Sequence, residues 1–272
     1  MAEATLATNA IDTTFERLRG EGRLAFIPYL TAGYPDRDGA LELGRTFAAR
    51  GADLIELGLP FSDPLGDGPT IQRSSSVALE KGMTVRGALA LARELATGTD
   101  APLVLMGYYN PIARYGPQAF CRDARDAGVS GLIVPDLPVE ESDELRAACR
   151  ANDMRLIYLL APTSTAARID AVARRASGFI YCMAVTGVTG ARADLSADLA
   201  PFLARVRAAT SVPLVVGFGI SRPEHVARLR GLADGAVVAS ALIDLVDRTP
   251  IEERAAVVGA YVERMRQACS AF

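Results

Sequence analysis

Short apolar runs alternate with longer helix-like segments along the whole chain, and this alternation limits the possible folds more than any other feature. Eight runs are rich in aliphatic and β-branched residues and have the length of fully buried parallel strands. The predicted strands are 24–30, 53–58, 102–109, 131–137, 155–161, 178–185, 213–220 and 235–242. Segments with apolar residues at three- and four-residue spacing follow the strands. Eight strand–helix units predict an α/β fold, the (β/α)8 TIM barrel.

A doubly wound open sheet is the main alternative to the barrel. It is ranked lower because the units repeat evenly and no GxGxxG follows the first strand. A chain of 272 residues is an ordinary length for one barrel, and it contains no linker or low-complexity stretch. We therefore predict a single domain over 1–272, with an extra N-terminal helix and with residues 1–10 loose.

Charge and hydropathy exclude two classes of partner. The net charge is −3 and the basic residues are scattered, which argues against a nucleic-acid partner. No apolar run reaches the roughly 18 residues of a membrane span. The N-terminal segment lacks the charged start and apolar core of a signal peptide. These features predict a cytoplasmic protein.

The scarcity of certain residue types limits the chemistry. The chain has one histidine, His225, and one lysine, Lys81. His225 is expected on a helix surface and Lys81 near a helix end, where a cation suits the dipole. Acid–base work must therefore fall mainly on carboxylates or tyrosines. The four cysteines lack metal-ligand spacing, and we expect reduced, mostly buried thiols.

Two carboxylates stand out at the second predicted strand. Glu56 lies inside the apolar run, where burial would raise its pKa and let it donate as well as accept protons. The alternative is a buried glutamate paired with an arginine. Asp67 follows in a long loop stiffened by prolines, a placement that favours function. The alternative for Asp67 is a turn aspartate that accepts local N–H groups. Asp63, in the same loop, is given a structural or partner-contact role.

Glycine-bearing loops follow the last three predicted strands, at 186–192, 217–221 and 239–242. Glycines let backbone N–H groups approach an anion, and a following helix N-terminus adds a favourable dipole. Tight turns alone would also explain each glycine. Together the loops predict a phosphate site, with Gly190, Gly219 and Ser240 as contacts and Gly217 shaping its turn.

Three further side chains lie toward predicted strand ends. Tyr108 and Tyr181 are interpreted as core tyrosines with hydrated hydroxyls. Asp136, between Pro135 and Leu137, is interpreted as a loop cap.

Elimination narrows the reaction class. A Schiff-base aldolase needs a lysine in the barrel, and a metal-dependent aldolase needs several histidines. Neither is present on the predicted strands. A substrate that supplies its own electron sink remains, such as an electron-rich heteroaromatic ring that is protonated at carbon.

The stretch IELGLPFSDPLGDGPTIQ (55–72) closely resembles the signature segment of the tryptophan synthase alpha chain family. The resemblance continues through FIPYLTAGYP (26–35), LMGYYNP (105–111), VPDLPVEES (134–142), TGVTGAR (186–192) and GFGIS (217–221), in the same order. It implies cleavage of indole-3-glycerol phosphate to indole and glyceraldehyde 3-phosphate. It also implies that the chain itself needs no cofactor or metal.

The resemblance implies roles for nine residues. Glu56 matches the catalytic glutamate that shuttles protons, and Asp67 matches the catalytic aspartate that accepts the indole N–H. Thr189 matches a residue that positions the aspartate when its loop closes. The remaining matches are the aromatic wall positions Tyr29 and Phe218, the site tyrosine Tyr181, and the phosphate contacts Gly190, Gly219 and Ser240.

The family works with a pyridoxal-phosphate-bearing beta chain in an α2β2 heterotetramer, and the beta chain receives indole through an internal passage. The resemblance implies that the loop with Ser62, Asp63 and Pro64, together with residues 105–116, faces that partner. Ala239 stands where family members usually have glycine, and its methyl group could crowd the phosphate. Two rivals remain: a stand-alone indole-3-glycerol phosphate lyase, and a subunit that has lost catalysis and only activates a beta chain. An unrelated isomerase barrel would not need the full signature.

Overall fold

The computed structural model describes residues 8–184, 198–217 and 219–270, and these residues form a closed barrel. Each strand pairs in parallel with the next, and the first pairs with the last. The strands are β1 Ala25–Thr31, β2 Ile55–Gly58, β3 Leu103–Met106, β4 Val129–Ile133, β5 Arg155–Leu160, β6 Ile180–Met183, β7 Leu214–Gly217 and β8 Gly235–Val238. The predicted (β/α)8 barrel is confirmed.

Helices surround the barrel. They are α1 Ala10–Gly20, α2 Arg37–Ala49, α3 Pro69–Glu80, α4 Val85–Ala96, α5 Tyr109–Tyr115, α6 Pro117–Asp126, α7 Asp143–Ala151, α8 Ala166–Arg175, α9 Leu199–Ala209, α10 Pro223–Ala227, α11 Ser240–Arg248 and α12 Ile251–Ala268. Several begin at residues whose side chains cap the helix; the Asp36 carboxylate, for example, accepts the Gly39 N–H at 2.8 Å. No helix of the described ranges is long and apolar enough to cross a membrane.

Several predicted boundaries are wrong. The third strand ends at Met106, because the chain turns into α5 from Tyr108, the residue that precedes that helix. The fourth begins at Val129 and ends before Pro135, which has no N–H for strand pairing. The eighth ends at Val238, and Ser240 begins α11 instead of continuing the strand.

The predicted N-terminal helix is present and lies against one end of the barrel. Ile11, Phe15 and Leu18 of α1 belong to the same buried cluster as side chains from inside the barrel, such as Ile27 and Val237. Asp12 of α1 forms an ion pair with the buried Arg155 at the start of β5. Because the first residues of parallel barrel strands share one end, α1 covers the N-terminal end of the barrel. A functional site is therefore expected at the C-terminal end of the barrel, which α1 does not cover.

Two predictions about side chains are confirmed. All four cysteines are buried and free, with the Sγ atoms of Cys121 and Cys149 3.7 Å apart. Lys81 lies at the C-terminus of α3.

Candidate active site

A cavity of about 330 Å³ opens among the loops at the C-terminal end of the barrel. Six of the residues predicted for the site line it: Tyr29, Glu56, Asp67, Tyr181, Gly219 and Ser240. They come from five different strands or the loops after them. Thr189, Gly190 and Phe218 lie outside the described residues.

Glu56 enters the cavity from the middle of β2. Its neighbours across the sheet are Tyr29 on β1 and Val104 on β3. The side chain is 2% exposed, and its Oε2 atom is buried without a hydrogen-bond partner among the described residues. No arginine of those residues forms an ion pair with it, which argues against the paired-glutamate alternative. Burial, and secondarily the charge of Asp67, raises the pKa of Glu56 to about 8.

Asp67 lies in the loop between β2 and α3. Its backbone N–H donates to the Pro64 carbonyl at 3.0 Å, and its carbonyl accepts from the Gln72 side chain at 2.9 Å. The carboxyl group is buried, and this burial raises its pKa to about 6 despite an opposing hydrogen bond from Tyr108. The Asp67 side chain therefore interacts with Tyr108 in addition to lying in its own turn.

Tyr108 supports this loop from β3's side of the barrel. Its hydroxyl accepts the Gly66 N–H at 2.9 Å and donates to the Asp67 carboxylate. Its ring stacks on Phe61, with centroids 5.3 Å apart. Tyr108 was predicted to be a core tyrosine with a hydrated hydroxyl. Its ring is buried as predicted, but its hydroxyl holds the loop of Asp67. Strand position gave no signal for this contact, since Tyr108 and Gly66 are far apart in sequence.

The two carboxyl groups therefore differ in protonation near neutral pH. With a pKa of about 8, Glu56 is mainly protonated at pH 7, whereas Asp67, at about 6, is mainly ionised. One acid and one base in a single cavity are the arrangement needed for proton transfer in both directions.

Two tyrosines form walls beside the acids. Tyr29 is 3% exposed, and its hydroxyl lies 3.1 Å from the Thr31 hydroxyl. A Cβ on Gly58 would overlap the Tyr29 hydroxyl, and one on Gly217 would overlap that of Tyr181. Gly217 was predicted to shape a turn. In the structure it is the last residue of β7, where the lack of a side chain leaves room for Tyr181 on the neighbouring strand.

The loops after β7 and β8, which also line the cavity, carry backbone suited to an anion. Gly219 has a φ of +83°, a conformation that favours glycine. Ser240 is the first residue of α11, whose N-terminus opens on the cavity lining. Ala239 also lines the cavity, and its φ of −119° lies outside the left-handed region that favours glycine.

Three other residues show the limits of sequence reasoning. Asp136 was predicted to cap a loop; in the structure its carboxylate accepts the N–H of Tyr109, the first residue of α5, at 2.9 Å. His225 was predicted at the surface, but it is 1% exposed and bonded beside the cavity, so that prediction is wrong. Tyr261 of α12 also lines the cavity, although its helix lies far from the motifs in sequence.

Metal-ligating side chains do not gather in this region. Among the described residues, no three histidine, cysteine, aspartate or glutamate side chains are placed to hold a metal ion.

Comparison with known proteins places this geometry in a family. The model of the family described as tryptophan synthase alpha chain matches residues 15–270. The tryptophan synthase alpha chain of Chloroflexus aurantiacus is 50% identical over 259 residues, which cover 95% of this chain and 97% of that protein. That of a Roseiflexus species is 52% identical over 257 residues, 94% of this chain and 98% of that protein.

Solved structures agree. A chain in a structure of Mycobacterium tuberculosis tryptophan synthase superposes with a TM-score of 0.90 at 34% identity, covering 98% of this chain and all of that one. Tryptophan synthase subunit alpha from Legionella pneumophila gives 0.87 at 35% identity, covering 97% and 99%. The protein of this sequence belongs to the tryptophan synthase alpha chain family.

Proposed function

We propose that this chain cleaves indole-3-glycerol phosphate to indole and glyceraldehyde 3-phosphate, with Glu56 and Asp67 as its catalytic residues. The activity follows from family membership. The observation that supports the two roles is the pair of buried carboxyl groups in one cavity, with pKa values of about 8 and about 6.

Glu56 acts first as an acid. It gives its proton to the indole carbon that bears the glycerol phosphate chain, which turns the ring into a cationic electron sink. The resulting Glu56 carboxylate accepts the proton of the adjacent glycerol hydroxyl. The carbon–carbon bond then breaks, its electrons return to the ring, and indole and an aldehyde are released. Glu56 ends the cycle protonated, so protons and charge balance.

Asp67 acts as the ionised partner. Its carboxylate accepts the indole N–H and stabilises the positive charge that develops when the ring is protonated. The hydrogen bond from Tyr108 favours this ionised form. Thr189, which lies outside the described residues, positions Asp67 when its own loop closes.

The substrate lies between two walls of different character. Tyr29, Tyr181 and Phe218 surround the indole ring. The backbone at Gly190, Gly219 and Ser240 binds the phosphate, helped by the N-terminus of α11. Of these, the described residues Gly219 and Ser240 line the same cavity as both carboxyl groups.

The chain works in the cytoplasm with a tryptophan synthase beta chain, as an α2β2 heterotetramer, and holds no cofactor of its own. Pyridoxal phosphate belongs to the beta chain, which receives the indole. The loop of Ser62, Asp63 and Pro64 faces that partner together with residues 105–116. The exposure of Leu65 supports this surface, since Leu65 lies in the same loop, is 93% exposed and so is suited to burial by another subunit.

Steady-state cleavage of indole-3-glycerol phosphate tests the proposal. The purified chain is assayed alone and then with a tryptophan synthase beta chain. Slow cleavage that rises sharply with the beta chain is expected. Fast cleavage by the chain alone would instead indicate a stand-alone lyase. No cleavage in either condition would contradict the catalytic proposal and leave only an activating role.

A further inference from the structure

The single histidine of the chain is buried against the loop that lies on the phosphate side of the cavity. His225 belongs to α10 and is 1% exposed. Its Nδ1 atom lies 3.1 Å from the Gly219 carbonyl oxygen and 3.3 Å from the Ser221 nitrogen. Its Nε2 atom lies 3.1 Å from Nη2 of Arg222. The ring thus contacts the loop on one edge and a guanidinium on the other.

These partners determine which ring nitrogen carries the proton. A guanidinium only donates hydrogen bonds, so Nε2 of His225 must accept from Arg222. The proton of the neutral ring is then on Nδ1, where it is donated to the Gly219 carbonyl oxygen. The opposite tautomer would let Nδ1 accept the Ser221 N–H at 3.3 Å. It would, however, place an N–H of the ring against the Arg222 guanidinium and leave the Gly219 carbonyl without this donor.

A second side chain holds the same loop from α12. The Tyr261 hydroxyl donates to the Ser221 carbonyl oxygen at 2.8 Å. Gly219, Ile220, Ser221 and Tyr261 all line the cavity. The short segment between β7 and α10 is therefore anchored at two carbonyl groups, by side chains from two different helices.

Anchoring a carbonyl also fixes an N–H group. The C=O and N–H of one trans peptide point in opposite directions. The bond from His225 to the Gly219 carbonyl therefore sets the direction of the Ile220 N–H, and the left-handed conformation of Gly219 is held in place. Backbone N–H groups bind anions well only when their directions are fixed in advance.

We infer that His225 is a positioning residue, which in its Nδ1–H form, oriented by Arg222, fixes the Gly219–Ser221 backbone for the phosphate group of the substrate. This inference rests on the phosphate site in the proposed function. His225 does not touch the reacting atoms, and its effect is confined to phosphate recognition.

The test compares two ligands that occupy different parts of the cavity. Glycerol 3-phosphate probes the phosphate side, and indole probes the aromatic side. In His225→Leu, the loss of one buried hydrogen bond should raise the Kd for glycerol 3-phosphate and the KM for substrate by about tenfold. The Kd for indole and kcat should change less than about twofold, because neither depends on this loop. His225→Asn keeps an N–H donor near the Nδ1 position and should recover most of the loss.

Tyr261→Phe provides a second variant, because it removes the other anchor but keeps the ring. It should show the same selective loss of glycerol 3-phosphate binding. An unchanged Kd for glycerol 3-phosphate in both His225→Leu and Tyr261→Phe would overturn the inference. Equal weakening of indole and glycerol 3-phosphate would overturn it too, since that marks general loosening. Failure of the wild-type chain to bind glycerol 3-phosphate would instead refute the proposed phosphate site itself.

Discussion

Glu56 and Asp67 share a cavity but experience different surroundings, and this difference assigns their roles. Glu56 has no hydrogen-bond partner at Oε2 among the described residues, whereas Asp67 receives a hydrogen bond from Tyr108. Burial raises both pKa values, and the hydrogen bond holds that of Asp67 lower. The protonated acid and the ionised base thus exist together only in a window of pH.

The dependence of kcat/KM on pH should therefore be bell-shaped. Activity rises through about pH 6 as Asp67 ionises, and falls through about pH 8 as Glu56 loses its proton. The phosphate monoester of the substrate itself titrates at about pH 6. The pH dependence of glycerol 3-phosphate binding is therefore measured as a control, and the kcat/KM profile is corrected for it. A profile that stays flat from about pH 5 to about pH 10 would contradict the two roles.

Tyr108→Phe tests the support of Asp67. Without the hydroxyl, the pKa of Asp67 should rise, so the acid limb of the profile moves to higher pH. kcat/KM at pH 7 should fall about tenfold, the effect of losing a hydrogen bond to a charged group. Tyr115→Phe is the matched control, because the Tyr115 hydroxyl bonds Asp123 away from the cavity. Equal profiles for both variants would show that Tyr108 only fills space.

The sequence predicts some of the site residues better than others, and the reasons are physical. Glu56 is predictable because a carboxylate inside an apolar strand is costly and needs a function. The anion loops are predictable from their glycines. The burial of His225 is not, because a polar residue in a polar helical segment has the pattern of a surface position. Its burial depends on Arg222 and Gly219, which satisfy both ring nitrogens.

Helix α1 is one of the elements that the basic barrel pattern does not require. It closes the N-terminal end of the barrel with Ile11, Phe15 and Leu18 and pairs Asp12 with the buried Arg155. The start of α11 was predicted to be strand, because residues 239–242 continue the apolar run of β8. The eight strands were recognised because full burial demands apolar runs of strand length.

Asp12→Asn should lower the free energy of unfolding by about 2–4 kcal/mol, because it removes the negative charge of Asp12 from beside the buried Arg155 guanidinium. Denaturant titration measures the change. Glu94→Gln is the control, since it removes an exposed ion pair with Arg37 and should cost less than about 1 kcal/mol. A smaller effect for Asp12→Asn than for the control would show that the ion pair does not secure α1.

At the scale of the whole molecule, Leu65 is an exposed apolar side chain on the loop expected to face the beta chain. Leu65→Asp should raise the beta-chain concentration needed for half-maximal activation by about tenfold or more, because a charge would be buried in the interface. Ile251→Asp is the matched control, since Ile251 is 69% exposed but begins α12, outside the proposed interface. Equal effects of the two substitutions would place the partner surface elsewhere.

Turnover by Glu56→Gln, measured together with ligand binding, tests the central claim most directly. The amide fills the same space but cannot transfer the proton. The account predicts a fall in kcat of at least about a thousandfold, with native binding of glycerol 3-phosphate and indole. Asp67→Asn should be severely but less completely impaired. Near-wild-type turnover by Glu56→Gln would contradict the assignment of proton transfer to Glu56.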